Sequence, residues 1–317
     1  MTASPLSLLV VGAGSTGGYF GARLAAAGRD VTFLVRPARA QTLERDGLRV
    51  VSPHGDLALQ PALLTASSLS RTFDAVLLTV KAFHLDQSIE DMAPAVGPDT
   101  MILPVLNGMS HVDALIRRFG SHAVAGCACK VAAMLDGEGR VIQMAPLHEL
   151  TYGELDGRLS ARIGRLDEFM RGAGFDAILS TQIEQEMWNK WVLLSALGSI
   201  NCLSGGSIGE VAATASGAPF SLALLAEVVA IVVAEGHPPS DEFLSRAKSM
   251  LTAPGSAQTS SMFRDMQAGQ RIEATQIVGD LLARGLRRGL QSPLLNAAFT
   301  RLAVYERQME VAGAKVA

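Results

Sequence analysis

The chain has 317 residues, 49% of them hydrophobic and 18% charged, a length and balance that exclude intrinsic disorder and suit two domains with substantial cores. Its 27 Lys+Arg against 30 Asp+Glu leave a net charge of -3, which excludes a general attraction to nucleic acid or anionic lipid. Any anion it binds must be met locally. No apolar run is expected to be long enough to cross a bilayer, and the N-terminus has no basic segment leading into a signal-like apolar stretch. The expected setting is therefore cytoplasmic, with neither nucleic acid nor membrane as partner. Cys127, Cys129 and Cys202 match no disulfide framework and no zinc pattern, and they read as buried thiols.

In chain order, residues 6–11 (LSLLVV) form a short, doubly buried strand, and a glycine-rich turn leads into a helix over 16–27. Gly28 stops that helix before a second strand at 30–35. Further strands are expected at 75–80 and 101–106, with a helix-compatible segment at 84–92 between them, so the sheet is mostly parallel. Residues 123–153 read as strands with glycine turns, followed by a helix near 159–172 and a last strand at 177–180. Beyond about 180 strand signals vanish and helical periodicity predicts helices at 183–197, 221–235, 241–251, 271–288 and 293–309. The expected class is α/β: a Rossmann-type, mostly parallel sheet domain over 1–180, followed by an all-helical domain over 181–317.

Gly12-Ala13-Gly14-Ser15-Thr16-Gly17 is a G-x-G-x-x-G turn placed directly after a strand and before a helix. Gly12 permits the tight turn, Gly14 lets backbone approach a pyrophosphate, and Gly17 lets helix and strand pack closely; the helix N-terminus adds unpaired N–H groups. These residues predict a bound dinucleotide. At the end of the second strand, NAD sites carry an acid for the ribose 2′-OH, whereas this strand runs out at Val35-Arg36-Pro37 with Arg39 close behind. A guanidinium matches a 2′-phosphate in charge and bidentate geometry, which favours NADP (NADPH) over NAD. The alternative, that Arg36 is a solvated surface arginine, leaves the missing acid unexplained.

With these residues in view, the chain resembles the ketopantoate reductase (2-dehydropantoate 2-reductase) family over nearly its full length. The resemblance is carried by the opening GAGSTGGYFGARLAAAGRDVTFLVR, by Thr79-Val80-Lys81 and Leu106-Asn107-Gly108, by Glu186-Met187-Trp188-Asn189-Lys190, and by Ser260-Ser261-Met262 with Asp265 and Glu273. It implies NADPH-dependent reduction of a 2-oxo acid to a 2-hydroxy acid, ketopantoate to pantoate by default, and so a place in pantothenate biosynthesis. It also implies an active site in the cleft between the halves, and the apolar character of the helical domain makes a homodimer a further expectation.

A hydride delivered to a ketone leaves an alkoxide, so a positioned acid is needed as charge develops on oxygen. The resemblance assigns Lys190 as that proton donor. It makes Glu273 a carboxylate that holds either the lysine or the cofactor ribose, places Ser261 at the substrate carboxylate, gives Asn107 to both nicotinamide and substrate, and sets Lys81 at the adenine-ribose end. Read without it, Asn107-Gly108 is an ordinary turn and Lys190 a solvated helix lysine. If 261–273 were one continuous helix, Ser261 and Glu273 would stand about 18 Å apart and touch different parts of the ligand pair.

The pattern departs in one respect. The family carries asparagines four, eight and eighteen residues after the lysine, where this chain has Leu194, Gly198 and Ile208. Asn201 lies on nearly the same helical face as Lys190 but about 16 Å further along, and it is a poor replacement. Because hydrogen bonds from such groups set substrate discrimination, a different and less polar 2-oxo acid or carbonyl compound is an alternative substrate. A β-hydroxyacid dehydrogenase is disfavoured by Leu194. A non-catalytic NADP-sensing protein is disfavoured by the joint presence of Lys190, Ser261 and Glu273. The histidines show no ligand spacing, so no metal is expected.

Overall fold

The computed structural model describes residues 6–314. They form two compact units: one runs to Leu106 and resumes at His111–Glu184, while the other takes Asn107–Ser110 and the chain from Gln185 onward. The division thus falls after Glu184 rather than at 180, and the Asn107 turn belongs with the helices.

In the first unit, β1 (Ser7–Val11) is an apolar strand with residues 8–11 buried, as a strand covered on both faces must be. It is followed by α1 (Ser15–Ala26), β2 (Asp30–Leu34), α2 (Pro37–Asp46), β3 (Leu48–Val51), β4 (Leu57–Leu59), β5 (Ala62–Leu64), β6 (Ala75–Leu78), α3 (Leu85–Met92), β7 (Met101–Pro104) and α4 (Ser110–Phe119). Five of these strands make a sheet in the order β5-β2-β1-β6-β7, every neighbouring pair parallel. This is a doubly wound Rossmann sheet with five of the six strands of the classic order. Chain order reverses at β1, which is flanked by β2 and β6, and ligands of such sheets bind at the carboxyl end of that switch point.

The chain then forms β8 (Ala125–Leu135), β9 (Val141–Glu154), α5 (Ala161–Met170) and β10 (Asp176–Leu179). These strands join β3 and β4 in a second, mixed sheet ordered β10-β9-β3-β4, with β8 antiparallel on β9. Helix α1 packs against both sheets, and its small residues allow the approach: a Cβ at Gly18 would lie 2.8 Å from Val141 of β9, and one at Gly21 would lie 2.6 Å from the Phe33 ring of β2. Tyr19 and Phe20 fill the core between them at 0% exposure.

The second unit is helical: α6 (Ile183–Ser204), α7 (Ile208–Ala212), α8 (Gly217–Ala234), α9 (Asp241–Leu251), α10 (Ser261–Gln267), a π-helix over Thr275–Gly279, α11 (Asp280–Arg287) and α12 (Pro293–Ala314). Two expectations are corrected here. Helix α8 is, by length and composition, long and apolar enough to cross a membrane. Within this unit, however, Leu224, Leu225, Val228, Ile231 and Val232 of α8 are buried, and its one charged residue, Glu227, accepts the backbone N–H groups of Leu294 and Leu295 at 3.1 and 2.9 Å. The carboxylate thereby satisfies two orphan donors at the start of α12. Second, Ser261 and Glu273 do not share a continuous helix. Helix α10 stops at Gln267, Gly269 turns at φ +65, and regular structure resumes only after Glu273.

Candidate active site

The cofactor loop is built by local stereochemistry. Gly12 turns the chain at φ +96 immediately after β1, and Gly14 caps α1. A Cβ at Gly17 would collide with the Gly12 carbonyl oxygen and with Thr79 Oγ1, so helix and strand close only around glycine here. Nothing lies within 4 Å of where a Gly14 Cβ would stand, which leaves room for a phosphate to meet backbone directly. Ala13 is buried, whereas Ser15 and Thr16 are half-buried at the first turn of α1. The residues present therefore fit a dinucleotide. Thr79, prominent in sequence only as part of a motif, follows β6 and donates its hydroxyl to the Val11 and Gly12 carbonyls at 2.9 and 3.0 Å. It ties the neighbouring strand to the turn.

Arg36 and Arg39 part company in the structure. Arg36 is exposed at the N-cap of α2, and its guanidinium has no hydrogen bond or ion pair among the described residues. Arg39 is half-buried and donates through Nη2 to the Ala13 carbonyl at 3.2 Å and to the Gly139 carbonyl at 3.1 Å. Lys81 is exposed and caps the short 3₁₀ turn before α3, on the same unit as the glycine loop.

The helical unit gathers the other candidates. Asn107 Nδ2 donates to Glu273 Oε2 at 3.4 Å, joining two residues 166 positions apart. Glu273 is buried, at 6% exposure. Gly108 holds the turn at φ +82, and a Cβ there would lie 2.5 Å from the Gln276 carbonyl, so the Asn107 turn lies flat on the π-helix that follows Glu273. That π-helix is anchored from α6: Trp191 Nε1 and Ser195 Oγ both donate to the Ile277 carbonyl, at 2.8 and 2.9 Å in a buried setting. Wide π-turns recur at functional sites because they redirect side chains that a regular helix would stack.

Lys190 lies half-buried on α6, flanked in sequence by the buried Trp188 and Trp191, and its ammonium has no hydrogen bond or ion pair among the described residues. It is therefore not the partner of Glu273 in this structure. The Arg284 guanidinium lies 5.6 Å from both tryptophan rings, and it and Arg288 are neutralised by Glu235. The rest of the Lys190 face is apolar. Leu194 is half-buried, and a Cβ at Gly198 would meet the Met262 methyl at 2.7 Å, so Met262 occupies the space a side chain at 198 would need. Ile208 is fully buried in α7, off this helix. Asn201 is committed to structure: Oδ1 accepts the Ser260 N–H and Nδ2 donates to the Gly206 carbonyl, both at 2.8 Å. Ser260 caps α10 through its hydroxyl, leaving the adjacent Ser261 exposed at the first position of that helix.

Fold and loop together define the class, an oxidoreductase-type chain with a Rossmann dinucleotide-binding unit and a helical unit carrying a lysine and a buried carboxylate. Family models described as ketopantoate reductase PanE/ApbA and its C-terminal part match residues 8–157 and 182–306. The chain belongs to the ketopantoate reductase family, a family of oxidoreductases. It is 34% identical over 303 residues to the uncharacterized oxidoreductase YkpB of Bacillus subtilis, covering 96% of this chain and 100% of that one. It is 26% identical over 328 residues to the 2-dehydropantoate 2-reductase of Mesorhizobium japonicum, covering 94% and 98%. Among solved structures, the 2-dehydropantoate 2-reductase of Methylococcus capsulatus superposes with a TM-score of 0.85 at 27% identity, covering 96% and 98%.

Proposed function

We propose that the protein is an NADPH-dependent reductase that converts a 2-oxo acid to a 2-hydroxy acid. The observation that carries the cofactor half is the exposed Arg36 guanidinium just after β2, without a hydrogen bond or ion pair among the described residues, at the position where NAD sites carry an acid. With its pyrophosphate on the glycine loop, a nicotinamide cofactor would supply the hydride. On the second unit, Lys190 stabilises the alkoxide that develops on the carbonyl oxygen and donates its proton there. Glu273 fixes the Asn107 amide by accepting its N–H, which leaves the amide oxygen and the second N–H for ligand. Ser261, exposed at the start of α10, offers a hydroxyl to the substrate carboxylate.

Ketopantoate is the default substrate on family grounds. A less polar 2-oxo acid is the second reading, supported by the half-buried Leu194 and the buried Gly198 and Met262 at and beside the positions where the family carries asparagines. Lys190→Ala tests the assignment of the acid: turnover should fall by about 10²–10⁴ while the NADPH dissociation constant stays unchanged. Turnover like that of the parent enzyme would remove Lys190 from the reaction.

A further inference from the structure

The Ala13 carbonyl has an unusual partner for a glycine-loop oxygen, the side chain of an arginine on α2. Arg39 bridges from Ala13 to Gly139 in the turn between β8 and β9, and a Cβ at Gly139, which turns at φ +75, would stand 2.8 Å from Arg39 Nη1. The guanidinium is hemmed in, with its Nε buried and unpartnered and no carboxylate bridged to it among the described residues. Burial holds its pKa below the ordinary arginine value. A cation has thus been placed behind the loop without a counter-charge.

A trans peptide is a rigid plane whose C=O and following N–H point in opposite directions. A side chain that holds the Ala13 carbonyl therefore also aims the Gly14 N–H the other way. Thr79 does the same to the preceding plane, since its hydroxyl on the Gly12 carbonyl fixes the Ala13 N–H. Neither the Ala13 nor the Gly14 N–H has an acceptor among the described residues, and the space around Gly14 is open. A positive charge on the carbonyl also polarises the amide and strengthens its N–H as a donor.

We propose that Arg39 is a positioning residue for the dinucleotide pyrophosphate: it contacts no ligand, but by holding the Ala13 carbonyl it aims and strengthens the Gly14 N–H. This rests on the reading of Gly12–Gly17 as a dinucleotide loop and is independent of which nicotinamide cofactor is preferred, because NADPH and NADH share the pyrophosphate. Arg36, by contrast, bears on the 2′-phosphate alone.

The test is calorimetric titration of NADPH, NADH and adenosine 2′-monophosphate into the full chain and its Arg39→Met and Arg39→Lys variants. Arg39→Met should weaken NADPH and NADH alike, by roughly tenfold, the loss of about one charge-assisted hydrogen bond. Adenosine 2′-monophosphate, which has no pyrophosphate, should bind Arg39→Met as it binds the parent, and Arg39→Lys should recover most of the dinucleotide affinity. Equal weakening of all three ligands would reduce Arg39 to a structural brace and overturn the inference. So would a loss confined to NADPH, or no loss at all. A parent protein that binds NADH as tightly as NADPH would instead overturn the NADP reading and leave this test standing.

Discussion

Arg36 and Arg39 stand three positions apart at the start of one helix, and only the structure separates them. Arg36 is free in solvent, whereas Arg39 is committed to two carbonyls. Replacing Arg36 with Ala should weaken NADPH by roughly tenfold or more, since a bidentate charged contact is lost, while NADH changes little; fluorescence titration of both cofactors would check this, and equal losses would contradict the assignment. Asn107 and Glu273 show the same limit from the other side. Each was legible by resemblance, but their hydrogen bond joins residues 166 positions apart, and no local pattern encodes it. The roles of Thr79 and Arg39 are hidden for a related reason: their partners are backbone carbonyls, which leave no mark on the sequence that supplies them. For Ser261 the signal was available, because Gly269 stands just past the end of α10 in the position typical of a helix stop.

Among the elements, the glycine turn and the strands and helix around it were readable because apolar runs and glycine stereochemistry act within a few residues. The π-helix was not. A single helix over 271–288 is what periodicity predicts, whereas a wider turn stands at 275–279, where Trp191 and Ser195 of α6 hold the Ile277 carbonyl. Strands β3 and β4 were missed too, being four and three residues long with no sustained alternation. They bring a titratable cluster with them. His54, in the turn between them, stacks on His148 of β9 with ring centroids 3.7 Å apart, and the Tyr19 hydroxyl of α1 bonds His148 Nδ1 at 2.7 Å. Burial lowers the His148 pKa, with the neighbouring His54 and Arg23 acting in the same direction and Asp176 opposing them. The folded protein therefore binds fewer protons than the unfolded chain once the pH drops below the unfolded value of about 6.5. This contribution to stability is complete above that pH and is lost as pH falls through the depressed folded value. Denaturant melts of the parent should show stability declining across that window, and His148→Gln should flatten this part of the decline. A variant with the same acid slope as the parent would exclude His148 as its source.

At the scale of the whole molecule, an α/β sheet unit followed by a helical unit was legible from the loss of strand signals near residue 180, and the parallel sheet from its short, doubly buried runs. The second, mixed sheet and the assignment of Asn107–Ser110 to the helical unit were not, since both depend on pairings across long stretches of chain. The two units divide the proposed chemistry, with phosphate recognition on the first and proton donation on the second. The apolar residues that make up 49% of the chain include Leu194 and Met262 beside the Lys190 face, where the proposal of a less polar substrate rests. If ketopantoate were reduced with a high kcat/KM, that apolar face would have no bearing on specificity. The most direct measurement is cofactor oxidation by the purified protein over a panel of 2-oxo acids, ketopantoate included, with NADPH and NADH in parallel. The expected result is NADPH consumed in step with formation of a 2-hydroxy acid, and faster than NADH; no 2-oxo acid reduced, or NADH used as readily as NADPH, would contradict the account.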